Sequence, residues 1–360
     1  MTDKFYVTRF FFKGASQYHP HVPEGFAPIA GLKIGHAQDV RARTGCTVFL
    51  AEGGMVAACR VLGGAVGERE LEAMRRGHIT KHIHALVLAG GSAFGLDAAS
   101  GVMRWCEERA IGFDTGRTRD GSLHTIRVPI VPSAILYDFG VGETTTEFGP
   151  AARPRHPDAA MGYAAASAAV AAPSDAPVAE GRVGVGTGCT VGKLYGMERA
   201  CDAGVGCWTE ELPGGVRVAA FAAVNAFGDV LDPDTGLILA GTRAAKDSRE
   251  FIDTAAALRA GAVTPRFGGS PRAPSGSGTN TVLVAVATNA VLTHAEAERL
   301  AELAGPGMAR VLSPAHTQFD GDILFALAPA PPDSALRADV DSLGRSAAEA
   351  VARAIARGVI

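Results

Sequence analysis

The stretch GGSPRAPSGSGTN-TVLVAVAT, residues 268–288, decides how this chain is read. Its first part, 268–280, is glycine, serine and proline with almost nothing to bury, the composition of an exposed loop. Its second part, 281–288, is an uninterrupted apolar run, which reads as a central strand buried on both faces. The boundary falls between Asn280 and Thr281, so a hydroxyl residue stands at the first position of a buried strand with a loop before it. That placement suits an intramolecular acyl shift. Thr281 Oγ would attack the Asn280 carbonyl, and water would release the ester. The new chain would then begin with Thr281, whose α-amine, titrating near neutrality, would serve as base to its own hydroxyl. The β-branch of threonine restricts χ1 and helps to aim that hydroxyl. Taken alone, an ordinary strand entry at Asn280-Thr281 stays open.

Further along lies FDGDILFALA, residues 319–328. Asp320 and Asp322 are two apart, so in an extended segment both carboxylates face the same way. Such a pair resists double ionisation, and a free ammonium at Thr281 would be a natural partner. An Asp-Gly-Asp turn leading into a strand is the plainer alternative. Asn225 interrupts the apolar run VAAFAAVNAFG, where its amide is either a satisfied core group or a donor to a developing oxyanion. Lys193 in TVGKLYG has small neighbours that leave room for a ligand, or its stem snorkels. Tyr137 in ILYDFG is a pocket tyrosine or simply a buried ring with a bonded hydroxyl.

Several familiar motifs are absent. LAGGSAFG at 88–95 lacks the Lys-Ser/Thr of a P-loop and the spacing of a dinucleotide fingerprint, so it reads as a tight turn between strand and helix. His78 and His82 are four apart without the glutamate of HExxH, which argues against a metal site. There is no GxSxG elbow. The expectation is that no metal or organic cofactor is needed.

Outward from these residues, the segments GLKIGHAQD, GCTVFLAEGG and MVAACRVLGG read as short strands joined by hairpins. Residues 84–91 read as a strand, 95–110 as a helix and 157–173 as an alanine-rich helix ended by Pro173. The segment 182–196 reads as glycine-rich and extended, and 216–236 as a long strand followed by two turns. Thr293 to Glu296 is a capping box, and a last helix starts near Ser342. Residues 1–27 read as an N-terminal arm and 28–360 as one catalytic domain.

The 360-residue chain is 47% hydrophobic and 20% charged, so a sizeable core is available and disorder is not the default. A formal net charge of -3 argues against nucleic-acid binding. Phe10-Phe11-Phe12 is too short for a signal segment, and no run is long enough to span a bilayer. The six cysteines show no CxxC spacing and suit buried thiols in a reducing compartment. A cytoplasmic protein is the expectation.

From Gly31 to the C-terminal helix the chain resembles the L-aminopeptidase/D-esterase family, which includes the β-aminopeptidases and the endo-type 6-aminohexanoate-oligomer (nylon-oligomer) hydrolases. The blocks that carry the resemblance are GCTVFL, LAGGSAFGLDAASGV, SAILYDF, VGKLYGME, VNAFGDVLDPDTG, SGTNTVLVAVATNAVLT and FDGDILFALA, in the family's order. The resemblance implies an α+β fold, the four-layer α-β-β-α sandwich shared with ornithine acetyltransferases and analogous to N-terminal-nucleophile hydrolases. It implies self-cleavage between Asn280 and Thr281 into chains 1–280 and 281–360. Thr281 matches the nucleophile, and Asn225 suits the oxyanion hole. Lys193, Asp320 and Asp322 match groups around the nucleophile, and Tyr137 a pocket wall. It further implies a small amide or peptide substrate and a homotetramer of processed heterodimers. Threonine preceded by asparagine looks like the nylon-oligomer branch, although Thr279 stands where that branch often has glycine. Two other readings remain: an acyltransferase of the same fold, or a non-catalytic module in which LAGGSAFG holds a ligand.

Overall fold

The computed structural model describes residues 25–116, 126–143, 154–263, 280–329 and 336–359. Most of the expected arm, and the loop 268–279, lie outside them. The arm's last residues, Phe26 and Ala27, are packed into the body: both are buried, and Thr209 ties Ala27 N–H and Gly25 C=O to the neighbouring strand.

The main strands are β1 (Lys33–Asp39), β2 (Thr44–Val61), β3 (Ile83–Ala89), β4 (Ser133–Ile135), β5 (Val205–Leu212), β6 (Val216–Asn225), β7 (Thr281–Thr288) and β8 (Ile323–Ala328). The long helices are α1 (Ala98–Glu107), α2 (Ala159–Ala171), α3 (His294–Val311) and α4 (Val340–Arg357). Hydrogen-bonded neighbours run β5-β6-β7-β8-β2-β3-β4, with Glu68–Arg69 beyond β4 and β1 on the free side of β2's first half. β7 and β8 are parallel, and β6 and β7 antiparallel. Every residue of β7 is buried, as an apolar run between two partners requires.

β2 departs from the expected pair of hairpin strands. It is one strand of 18 residues whose ladder shifts register between Leu50 and Met55. Cys46 to Leu50 pair with β3, whereas Val56 to Val61 pair with β8. Gly54, at φ 80°, takes a backbone conformation that other residues rarely adopt, so AEGG bends the strand instead of reversing it. The bend carries β2 from one sheet to the other, and the two sheets face each other. Phe49 of β2 meets Phe221 of β6 edge-on between them, with ring centroids 5.1 Å apart.

α3 and α4 pack together on the outer face of β5–β8, and α1 and α2 on the outer face of β1–β3. The result is the α-β-β-α sandwich. Close approach in the outer layer depends on small residues: a side chain at Gly35 would strike the backbone of Ala165 and Ala169. α3 opens with the expected capping box of Thr293 and Glu296. Elsewhere local hydrogen bonding shortened the expected elements. α1 begins at Ala98 because Ser92–Asp97 winds as a tighter 3-10 turn. The segment 182–196 holds a 3-10 turn at Gly184–Gly186 and a two-residue strand, Thr190–Val191. No helix among the described residues is long and apolar enough to cross a membrane.

Candidate active site

Four chain segments meet where β7 begins. Thr281, its first residue, is paired with Asn225, the last residue of β6. Antiparallel pairing sets their Cα atoms roughly 5 Å apart. Asn280 is bridged in parallel to Asp320, just before β8. The loop after Val191 folds over the end of β6, and Lys193 N–H donates to Phe227 C=O at 2.9 Å. Thr281, Asn225, Lys193, Asp320 and Asp322 are each 3% exposed or less, so their charges act with little screening by water.

Thr281 Oγ donates to the Asn280 carbonyl oxygen at 2.5 Å, and Gly321 N–H donates to the same oxygen at 2.8 Å. The residue between the two aspartates therefore holds the carbonyl that precedes Thr281. A Cβ at Gly321 would stand 2.7 Å from Thr281 Oγ and 2.7 Å from the Ala65 carbonyl oxygen. Only glycine fits between the hydroxyl and the chain behind it. The Asn280 side chain is buried, and among the described residues neither end of its amide has a hydrogen-bond partner.

Lys193 Nζ donates to Asn225 Oδ1 at 2.7 Å and to the Asn225 carbonyl at 3.2 Å. Asn225 Oδ1 also accepts from Thr190 N–H at 3.1 Å, and Asn225 Nδ2 donates to the Tyr137 carbonyl at 2.9 Å. The amide is thus fixed with its oxygen toward the lysine. Burial brings the Lys193 ammonium down from 10.5 to about 7, a fall that nearby Cys189, Asp320 and Asp138 only partly oppose.

The two carboxylates are held differently. Asp320 Oδ1 accepts from Phe227 N–H at 3.2 Å, and Oδ2 from the N–H and hydroxyl of Thr317 at 3.0 and 2.6 Å. Asp322 Oδ1 accepts from Val282 N–H at 2.7 Å, and Oδ2 lies 2.8 Å from His316 Nδ1. Burial, and next the charge of Asp322, raise Asp320 above the ordinary carboxylate range, against the pull of its hydrogen bonds.

The structure brings Asn280, Thr281, Asn225, Lys193, Asp320 and Asp322 together around one peptide bond. Tyr137 joins through its backbone carbonyl, and its ring lies edge-on to Phe139 at 5.2 Å. Thr190, Thr317, Gly321, His316 and Asp138 are additional. Asp138 is buried, accepts from Gly91 N–H at 2.8 Å and is pushed up to about 6 by that burial. The pattern HTxxDGD at 316–322 was the available signal for three of them. It was hidden because a turn motif, read by itself, does not say what it faces. LAGGSAFG has spent the amides a ligand would need: Gly90, Gly91 and Ser92 donate to the Gly45 carbonyl, the Asp138 carboxylate and the Leu136 carbonyl. Among the described residues no group of three or more His, Cys, Asp or Glu side chains could hold a metal ion.

Residues 26–360 match the model of peptidase family S58. The chain is 36% identical over 358 residues to an uncharacterized aminopeptidase of Mycobacterium tuberculosis, covering 92% of each. It is 29% identical over 299 residues to the 6-aminohexanoate-oligomer endohydrolase of a Kocuria species, covering 82% of this chain and 72% of that one. Among solved structures it is similar to a Burkholderia β-aminopeptidase, with a TM-score of 0.59 and 21% identity, covering 94% of this chain and 88% of the other. It is also similar to the L-aminopeptidase D-Ala-esterase/amidase of Ochrobactrum anthropi, described as a variant of the Ntn-hydrolase fold, with a TM-score of 0.58, 16% identity and coverage of 93% and 86%.

Proposed function

The chain belongs to peptidase family S58 and is a hydrolase of peptide-type amide bonds, and from that premise we propose that it cleaves itself between Asn280 and Thr281 and then uses Thr281 as its N-terminal nucleophile. The observation that carries this reading is the pair of contacts on the Asn280 carbonyl: the Thr281 hydroxyl at 2.5 Å and Gly321 N–H at 2.8 Å. Nucleophile, target carbonyl and a donor for the developing oxyanion are already assembled.

In self-cleavage Thr281 Oγ bonds to the Asn280 carbonyl carbon, the C–N bond breaks, and the hydroxyl proton ends on the departing nitrogen. Water then cleaves the ester, giving a carboxylate on Asn280 and a free amine on Thr281. Gly321 N–H holds the oxyanion while it exists. The fragments 1–280 and 281–360 stay associated because β7 is hydrogen-bonded to β6, and β8 to β2, strands that belong to the larger fragment.

In turnover the Thr281 amine takes the proton of its own hydroxyl as Oγ attacks the substrate carbonyl, and returns a proton to the leaving amine. Asn225, anchored by Lys193 and by the Tyr137 carbonyl, supports the substrate oxyanion. Asp320 and Asp322 hold the amine in place, and Lys193 sets the charge of the pocket. Water releases the acyl group from Thr281. Peptides, β-peptides or 6-aminohexanoate oligomers are the substrate class, and the working assembly is a homotetramer of processed heterodimers.

Intact-mass measurement tests the reading. Two fragments meeting at Asn280-Thr281 are expected, with Thr281→Ala remaining full length and inactive on p-nitroanilides. A wild-type chain that stays whole through long incubation, or amide hydrolysis that Thr281→Ala retains in full, would overturn it.

A further inference from the structure

His316 contacts the carboxylate pair from a partly exposed position: its side chain is 22% exposed, against 1% for its partner Asp322. Its backbone is left-handed, at φ 54°, a conformation that residues with side chains seldom adopt and that the surrounding turn must impose. That turn gives each carboxylate its own clamp, Thr317 on Asp320 and His316 Nδ1 on Asp322 at 2.8 Å. The opposite oxygen of Asp322 accepts from Val282 N–H at 2.7 Å, the first peptide after the nucleophile. The chain His316, Asp322, Val282 N–H therefore ends one bond away from Thr281.

We propose that His316 is a positioning residue for the nucleophile: it holds Asp322 oriented, and through Asp322 fixes the first peptide of β7. The inference rests on the reading of Thr281 given above. The segment after β2 holds the turn by backbone N–H groups: Leu62 at 2.9 Å and Gly63 at 3.2 Å donate to the Asp322 carbonyl, Gly64 at 3.3 Å to that of Thr317 and Ala65 at 2.9 Å to that of Asp320. Without the His316 donor the Asp322 carboxylate keeps only its contact with Val282 N–H, and the array that orients the nucleophile loosens.

The test compares kcat and KM of processed wild-type enzyme with those of His316→Ala, His316→Asn and Thr281→Ala on a p-nitroanilide. His316→Ala should lower kcat by roughly tenfold or more with KM little changed, because the orientation of the nucleophile and not substrate binding is lost. His316→Asn, which keeps an N–H donor near the position of Nδ1, should restore most of kcat. Should His316→Ala not fold, His316→Gln, whose amide reaches a different point, replaces it in the comparison. A wild-type kcat in His316→Ala or His316→Gln, or a loss that His316→Asn does not restore, overturns the proposal while Thr281 keeps its role. Activity surviving in Thr281→Ala sinks both.

Discussion

Gly321 donates its N–H to the Asn280 carbonyl at 2.8 Å, and the space its side chain would fill is already taken by the Thr281 hydroxyl. The glycine of the Asp-Gly-Asp motif is thus fixed twice, by a donor that reaches the carbonyl and by the Thr281 hydroxyl that lies against its Cα.

Replacing it separates assembly from chemistry. Gly321→Ala puts a methyl group 2.7 Å from Thr281 Oγ and from the Ala65 carbonyl oxygen, so either hydroxyl or turn must move. Self-cleavage should slow by about 10²–10³-fold, the usual loss when an oxyanion donor is displaced. A time course of intact mass checks this, with circular dichroism showing that the sandwich still forms. Cleavage at the wild-type rate would remove Gly321 from the mechanism.

Lys193 should make the stability of the uncleaved chain depend on pH. Its folded-state value is about 7, against 10.5 when unfolded. Between those values the unfolded chain holds a proton that the folded one does not. The free energy of unfolding therefore rises with pH across that window, by up to about 1.4 kcal/mol per pH unit. Asp320 acts oppositely and at lower pH. Its folded value is raised above 3.8, so its contribution is fully present below that value and is lost as pH climbs through the raised one. Urea midpoints of Thr281→Ala at pH 7 and 9 should differ, and Lys193→Met in that background should remove the difference.

Asn280 carries a buried amide with neither end paired among the described residues. Each such group costs about 1–3 kcal/mol. In the Thr281→Ala background, Asn280→Ala should raise the melting temperature in spite of the lost volume. A lower melting temperature would show that packing around the side chain outweighs its unpaired polar atoms.

Phe221 bridges the two sheets at Phe49. Phe221→Ala should destabilise the fold by about 3–5 kcal/mol, measured by chemical denaturation, with the site residues unchanged in identity. A loss under 1 kcal/mol would mean that the sheets close over the gap.

The strand 281–288 was legible because eight consecutive buried positions need an apolar run, and its edge fell at Thr281. The capping box at Thr293 and Glu296 was legible for a similar reason: its reciprocal bonds depend on residues three apart. β2 was misread because a glycine pair signals a change of direction without saying whether the chain reverses or bends. The pairing partner decides, and β8 lies far away in sequence. His316 was not singled out for a different reason: its partner Asp322 is near in sequence, but the left-handed backbone that turns the ring toward it is imposed by the turn.

The sequence by itself determined the apolar strand, the loop before it, the hydroxyl at their junction and the family blocks that hold Lys193, Asn225, Asp320 and Asp322. Periodicity and local composition suffice for features whose causes lie within a few residues. Only the tertiary structure decided that these blocks converge on one carbonyl, that Gly321 supplies its donor, and that Asn225 turns its oxygen toward Lys193. Those outcomes depend on strand register and on which sheet β2 joins at each end, and both are set by long-range packing rather than by any short run of residues.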